Sequence, residues 1–163
     1  MIYEDKDSEF LVSSCANACN IDDDANNRWR FNPYLHSIKN QRKAGKFGEM
    51  LYCSITESEK VNKDGYDVLT PEGDKVEVKT AFLNKNNYYW VNQIYYEGDK
   101  DDVKKEWTHL SFIFIGIDSI TIWEAEKPDC ELFAKTNSSN GREWKGKIED
   151  IPSCFTKIAE IVL

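Results

Sequence analysis

Residues Gly65–Thr80 read GYDVLTPEGDKVEVKT, and the arrangement of the whole chain turns on this stretch. Val68 and Leu69 belong to a first short strand. In a second, Val76 and Val78 alternate with Glu77 and Lys79, the period of two expected when one face of a strand is buried. Between the two, Pro71 suits the second position of a type I turn and Gly73 the left-handed residue after it, which predicts a three-residue hairpin loop with a bulge. If Thr70 pairs with Asp74, counting inwards places Asp67 opposite Glu77. Residues facing one another across a hairpin share a side of the sheet, as do residues two apart on one strand. Asp67, Glu77 and Lys79 are therefore expected on one face, with Val76 and Val78 on the other.

Two carboxylates held side by side repel unless a cation or a proton sits between them, and a neighbouring ammonium relieves only part of that repulsion. Oxygen donors of this kind suit Mg²⁺, which takes one or two carboxylates and fills its other positions with water and substrate phosphate. Such a metal can activate water and stabilise charge building on a phosphoryl oxygen. The plain alternative is a hairpin whose alternating charges are merely solvated. The turn chemistry, which brings a third charged residue into register, favours a site.

Asp67, nine intervening residues and then Glu77-Val78-Lys79 resemble the D…(D/E)xK signature of the PD-(D/E)xK nuclease superfamily, which includes restriction endonucleases, Holliday-junction resolvases and repair nucleases. The resemblance implies an α/β (α+β) restriction-endonuclease-like core: a central mixed β-sheet flanked by helices, with the signature on a central hairpin. It also implies a divalent cofactor, Mg²⁺ with Mn²⁺ as a substitute, held by Asp67, Glu77 and the carbonyl of Val78. Lys79 would orient or deprotonate the attacking water. A further glutamate often comes from the preceding helix, here Glu49, and Gln93 would point back to the metal from the helix that follows the signature in this family. Tyr66 stands where the signature has proline, and Glu97 four residues after Gln93 does not match the Q-x-x-x-Y of the exonuclease branch.

The function so implied is a Mg²⁺-dependent DNA endonuclease, most similar in size to a small type II restriction endonuclease acting as a homodimer on double-stranded DNA. A junction resolvase or repair nuclease is the alternative within the superfamily. From a different class comes a non-catalytic interaction module that keeps the nuclease-like hairpin for structure and offers its acidic surface to a basic protein.

Charge is the main objection to a nucleic-acid enzyme, because phosphate binding is driven by basic surface and the formal net charge is −8. The distribution softens that objection. Arg28, Arg30, Lys39, Arg42, Lys43 and Lys46 fall between Ala25 and Gly48 without an acid among them, leaving 15 basic against 29 acidic residues elsewhere. These six are candidate phosphate contacts, as are Arg142 and Lys145 beside a polar loop that would read bases.

At 163 residues the chain is expected to be one domain, residues 1–163, with a core of its own. Its longest apolar run, Phe112–Ile117, is too short to cross a bilayer, and the opening MIYEDKDSEF lacks the regions of a signal peptide, so an intracellular protein with no membrane partner is expected. Five cysteines, an odd number, suggest reduced and mostly buried thiols. Cys15 and Cys19 have no second pair to complete a zinc site, and His36 and His109 are the only histidines.

A short helix is expected over Glu9–Ala18, with Phe10, Leu11 and Val12 inward, followed by a solvated turn at Asp22–Asn26. Pro33–Ser58 reads as a helix whose stripe is Phe47, Leu51 and Ile55 with Met50 alongside. Glu49 falls roughly opposite that stripe and is expected to favour solvent over the site, although Gly45, Gly48 and Tyr52 beside it form a face that could pack closely. Tyr88–Tyr96 fits either a helix or an aromatic strand. Leu110–Ile117 and Ser119–Ala125 are expected strands, and Cys130–Lys135 with Arg142–Ile148 an expected hairpin. From Asp150 a final amphipathic helix would turn Phe155, Ile158, Ile161 and Val162 inward, with Pro152 in its first turn.

Overall fold

The computed structural model describes residues 1–19, 41–63, 65–100, 105–136 and 141–163. A two-residue strand β1 (Ile2–Tyr3) leads into helix α1 (Asp5–Ala18), and the next described element is helix α2 (Gln41–Thr56). Strands β2 (Glu59–Lys63), β3 (Tyr66–Leu69), β4 (Lys75–Phe82) and β5 (Tyr89–Ile94) follow. Then come β6 (His109–Ile115), β7 (Ser119–Glu126), β8 (Ala134–Lys135), β9 (Arg142–Gly146) and β10 (Thr156–Val162). The expected turn at Asp22–Asn26 and the start of the expected helix at Pro33 lie outside the described residues.

The hairpin of β3 and β4 forms as the turn residues require. Gly73 N–H donates to the Thr70 carbonyl at 2.9 Å, Thr70 N–H to the Asp74 carbonyl at 2.9 Å, and Gly73 sits at φ +93°, where only glycine is unstrained. Val68 pairs with Val76 and Leu69 with Lys75, the register that carries Asp67 to the level of Glu77. This hairpin is part of a seven-stranded mixed sheet in the order β1-β10-β7-β6-β4-β3-β2. β4 runs parallel to β6, and β1 parallel to β10, while the remaining neighbours are antiparallel. The architecture is mixed α+β with a central mixed sheet, as expected.

Both described helices cover one face of that sheet. Val12, Cys15 and Ala16 of α1 and Phe47, Leu51 and Ile55 of α2 pack there against Val76, Val78, Ile113, Ile120, Ile122 and Ile161. The opposite face is closed by a second sheet, β5-β9-β8, through an aromatic layer. In that layer Phe112 stacks on Phe155 with ring centroids 4.7 Å apart, and Tyr89 tilts against Phe114 at 4.5 Å. β6 is therefore covered on both sides, which is why Phe112-Ile113-Phe114-Ile115 is continuously apolar.

Several expectations are corrected. Phe10 is 74% exposed; Val12 is buried and Leu11 partly buried as expected, but the inward face of α1 is Val12, Cys15, Ala16 and the following Cys19, the i, i+3, i+4, i+7 set. Tyr88–Tyr96 resolves as strand β5, not as the helix implied after the signature, and it belongs to the second sheet. The final segment is strand β10 rather than a helix, antiparallel to β7 from Thr156↔Glu124 to Val162↔Ser119, with Val162 exposed. Its β-branched content and the open edge of β7 outweigh a helical periodicity that rested on four residues. Pro152 instead opens a turn that Phe155 N–H closes onto its carbonyl at 2.9 Å. The cysteines are all free, Cys15 and Cys19 buried and Cys154 exposed, and burial pushes the Cys15, Cys19 and Cys53 thiols up, away from reactivity. No described helix is long and apolar enough to cross a membrane.

Candidate active site in a split of the sheet

The paired register of β3 and β4 stops at Val68–Val76, so β4 from Glu77 onwards has lost its backbone partner on that side. The Asp67 carboxylate replaces it: Oδ2 accepts the Val78 N–H at 2.8 Å. In an antiparallel pair, a residue's N–H and C=O point to the same neighbour, so the Val78 carbonyl is turned to this edge as well. A cleft of about 420 Å³ opens here, between α2 on one side and β5 on the other. Asp67, Val78, Lys79 and Thr80 form its floor, Ala44, Gly45 and Glu49 one wall, and Trp90, Asn92 and Gln93 the other.

Lys79 and Glu77 stand two apart on β4 and form an ion pair of 2.7 Å, Nζ to Oε1, with side chains 19% and 18% exposed. Glu77 meets the cleft through this pair and is not itself in its walls. Burial drives the Asp67 carboxyl up, and the nearby charge of Glu77 adds to it, against the Val78 N–H and Lys79 which pull down; the balance lies at about 7. Burial pulls the Lys79 ammonium down, but the charge and hydrogen bond of Glu77, with Asp67 behind it, carry it above its ordinary value. Glu77, with Asp67 behind it, thus favours the protonated ammonium of Lys79.

Glu49 corrects the expectation of solvent. Its side chain is 19% exposed, in the cleft wall, and ion-paired to Lys60 of β2. The reason is next to it in sequence. Gly48 lies against β4 so closely that a Cβ there would sit 1.9 Å from Thr80 Oγ1 and 3.3 Å from Ile113 Cδ1. The buried face of α2 consequently extends over Ala44, Gly48 and Tyr52, beyond the stripe of large residues, and brings Glu49 to its flank.

Among the candidate phosphate contacts, Arg28, Arg30 and Lys39 lie outside the described residues, as do the side chains of Arg42 and Lys43; Lys46 is exposed on α2. Arg142 does something else. Its Nε and Nη2 bind Asp99 at 3.0 and 3.1 Å, tying β9 to the turn after β5. Lys145 is half-exposed, with its ammonium 4.8 Å from the centre of the Trp90 ring. Gln93 does line the cleft, at a left-handed φ of +58°. The sequence reading missed Lys60, Lys105 and Trp90. Lys105 is placed so that its ammonium, held down first by burial, feels both Glu77 and Lys79. None of the three has a local signal, because each is brought in from a different strand or loop.

Asp67, a raised acid, and Glu77, shared with Lys79, together with the Val78 carbonyl edge make an oxygen donor set that fits a small divalent cation keeping most of its waters. Among the described residues no group of three or more His, Cys, Asp and Glu forms an all-protein metal cage. No family model matches the chain, and no curated protein matches it.

Proposed function

We propose that this chain is a metal-dependent phosphodiesterase acting on DNA, working through Asp67, Glu77 and Lys79. The observation that carries the reading is the split beside β4, where a buried, raised carboxylate and an ammonium held by a second carboxylate share one cleft. Structural ion pairs also perturb titration, but a structural pair needs neither an open cleft nor an acid left close to neutrality.

Asp67, Glu77 and the Val78 carbonyl would hold Mg²⁺ or Mn²⁺. When bound, the metal supplies an activated water and charge stabilisation at the phosphoryl oxygens. The protein's own groups do the rest. Lys79 orients the attacking water and neutralises charge on the pentavalent phosphorus. Glu49 holds the opposite wall, with Lys60 as its counter-charge. The wider likeness to PD-(D/E)xK nucleases, and the restriction-type or resolvase roles within it, rest on the same three side chains.

The test is incubation of the purified protein with supercoiled plasmid and with single-stranded circular DNA, in Mg²⁺ and in EDTA. Cleavage is expected only with metal, and Asp67→Ala, Glu77→Ala and Lys79→Ala should each lower it by about 100-fold or more. Cleavage by Asp67→Ala at the parent rate overturns the assignment. Discrete fragments would mark a sequence-reading restriction enzyme, and selective cutting of four-way junctions a resolvase.

A further inference from the structure

We propose that the cleft takes an unpaired DNA strand, with Trp90 as the platform on which a base stacks beside the phosphate at Lys79. This rests on the nuclease reading above and narrows its substrate.

Trp90 is 49% exposed, on a strand whose neighbours Tyr89 and Val91 are buried. A single exposed aromatic needs no explanation by itself. This one, however, forms part of the same cleft as Asp67 and Lys79, and it is held in place. Its Nε1–H donates to Glu143 Oε2 at 2.8 Å, and its cross-strand partner Lys145 sets an ammonium 4.8 Å from the ring centre. An indole fixed by one edge, with a cation over its ring and a place in the cleft wall, is organised for stacking before any ligand arrives.

The wall around it is built to match. The β5–β9 register shifts between Val91 and Ile94, and Gln93 adopts φ +58°, a conformation that a non-glycine residue keeps only where the surroundings impose it. Asn92 and Gln93, at this irregularity, both line the cleft beside Trp90 and Val91. Asn84 adds the NH2 of a third amide, its Oδ1 being taken by the Asn86 and Tyr88 N–H groups. Amides can hydrogen-bond the edge of a base whose face lies on the indole.

A base paired within a duplex is stacked on both faces and cannot give one to Trp90; an unpaired base can. The volume of about 420 Å³ lies in the range of pockets that enclose small ligands, about 300–1,000 Å³, which suits a nucleotide. Charge points the same way. A chain of net charge −8 is poorly equipped for the many phosphate contacts of duplex binding, whereas a single strand has lower charge density and gains from stacking.

The test separates this from the hydrolase reading by measuring binding. Full-length protein carrying Asp67→Asn, which blocks turnover, is titrated into a labelled, unstructured single-stranded oligodeoxynucleotide and into its duplex, followed by anisotropy and tryptophan fluorescence. The single strand is expected to bind about 10-fold or more tighter than the duplex. Adding Trp90→Ala should weaken the single strand by about 5- to 100-fold and leave the duplex unchanged. Trp90→Phe should keep most of the affinity while losing the fluorescence quench. Equal affinity for the two DNAs, no single-strand binding by the folded protein, or an unchanged Kd in Trp90→Ala overturns the proposal. Metal-dependent cleavage that survives Trp90→Ala would remove the platform and leave the hydrolase; Trp90-dependent binding without cleavage by the parent would do the reverse.

Discussion

Asp67 concentrates the conflict in this protein. Its carboxyl is raised from 3.8 to about 7 by burial and by Glu77. An acid raised in the fold stabilises the folded state when protonated, so its contribution is complete below about pH 4 and is lost as the pH climbs through about 7. Asp67→Asn keeps an oxygen for the Val78 N–H and removes the charge. It is expected to raise stability at about pH 8 by roughly 1–3 kcal/mol in urea unfolding, and to change little at about pH 4. Equal midpoints for the two proteins at the higher pH would mean that the acid is not destabilised there. Saturating Mg²⁺ should stabilise the parent at high pH, by mass action on the folded state, and should have much less effect on the Asn variant. At this scale the sequence was informative about residue type and register. It said nothing of the pKa, which is a property of the walls.

Between elements, the decisive contact is α2 on β4. Alanine at position 48 would improve intrinsic helix propensity by about 1 kcal/mol, but its Cβ collides with Thr80, whose Oγ1 is buried and makes no hydrogen bond. Overpacking is expected to win, with Gly48→Ala destabilising by about 1–2 kcal/mol in thermal unfolding. Gly48→Ala combined with Thr80→Ala should recover most of that loss, since the second change removes the 1.9 Å clash and an unsatisfied hydroxyl and leaves only the tighter contacts of 3.1 and 3.3 Å with the residue-80 Cβ and Ile113 Cδ1. Failure of the double variant to recover would place the strain elsewhere. The hairpin and β10 show why elements differ in legibility. Pro71 and Gly73 act within five residues, so the turn and its register could be read directly. Thr156–Val162 has no such local instruction; it is a strand because β7 offers an unpaired edge. β5 was ambiguous for the same reason, its partner β9 lying some fifty residues away.

Across the whole molecule, two sheets and a helical layer have to hold the cleft open. Arg142 is a strut in that assembly: its side chain is 14% exposed, and Asp99, which it binds through two nitrogens, is only 4% exposed. Arg142→Ala would leave the Asp99 carboxylate with only the Tyr96 N–H and is expected to cost about 1–3 kcal/mol. Arg142→Met with Asp99→Leu, which removes both charges, should cost much less. A single variant as stable as the parent would return Arg142 to the pool of surface cations. By itself the sequence determined the hairpin, its register and the gathering of Asp67, Glu77 and Lys79 beside it, because each follows from turn chemistry and short-range alternation. Only the tertiary structure decided that β3 and β4 part at Val76, that Glu49 turns to the cleft rather than to water, and that Trp90 lines the same cleft as Lys79. Those relations join segments far apart in the chain, and they depend on how closely helix and sheets approach, a quantity that no local pattern of residues encodes.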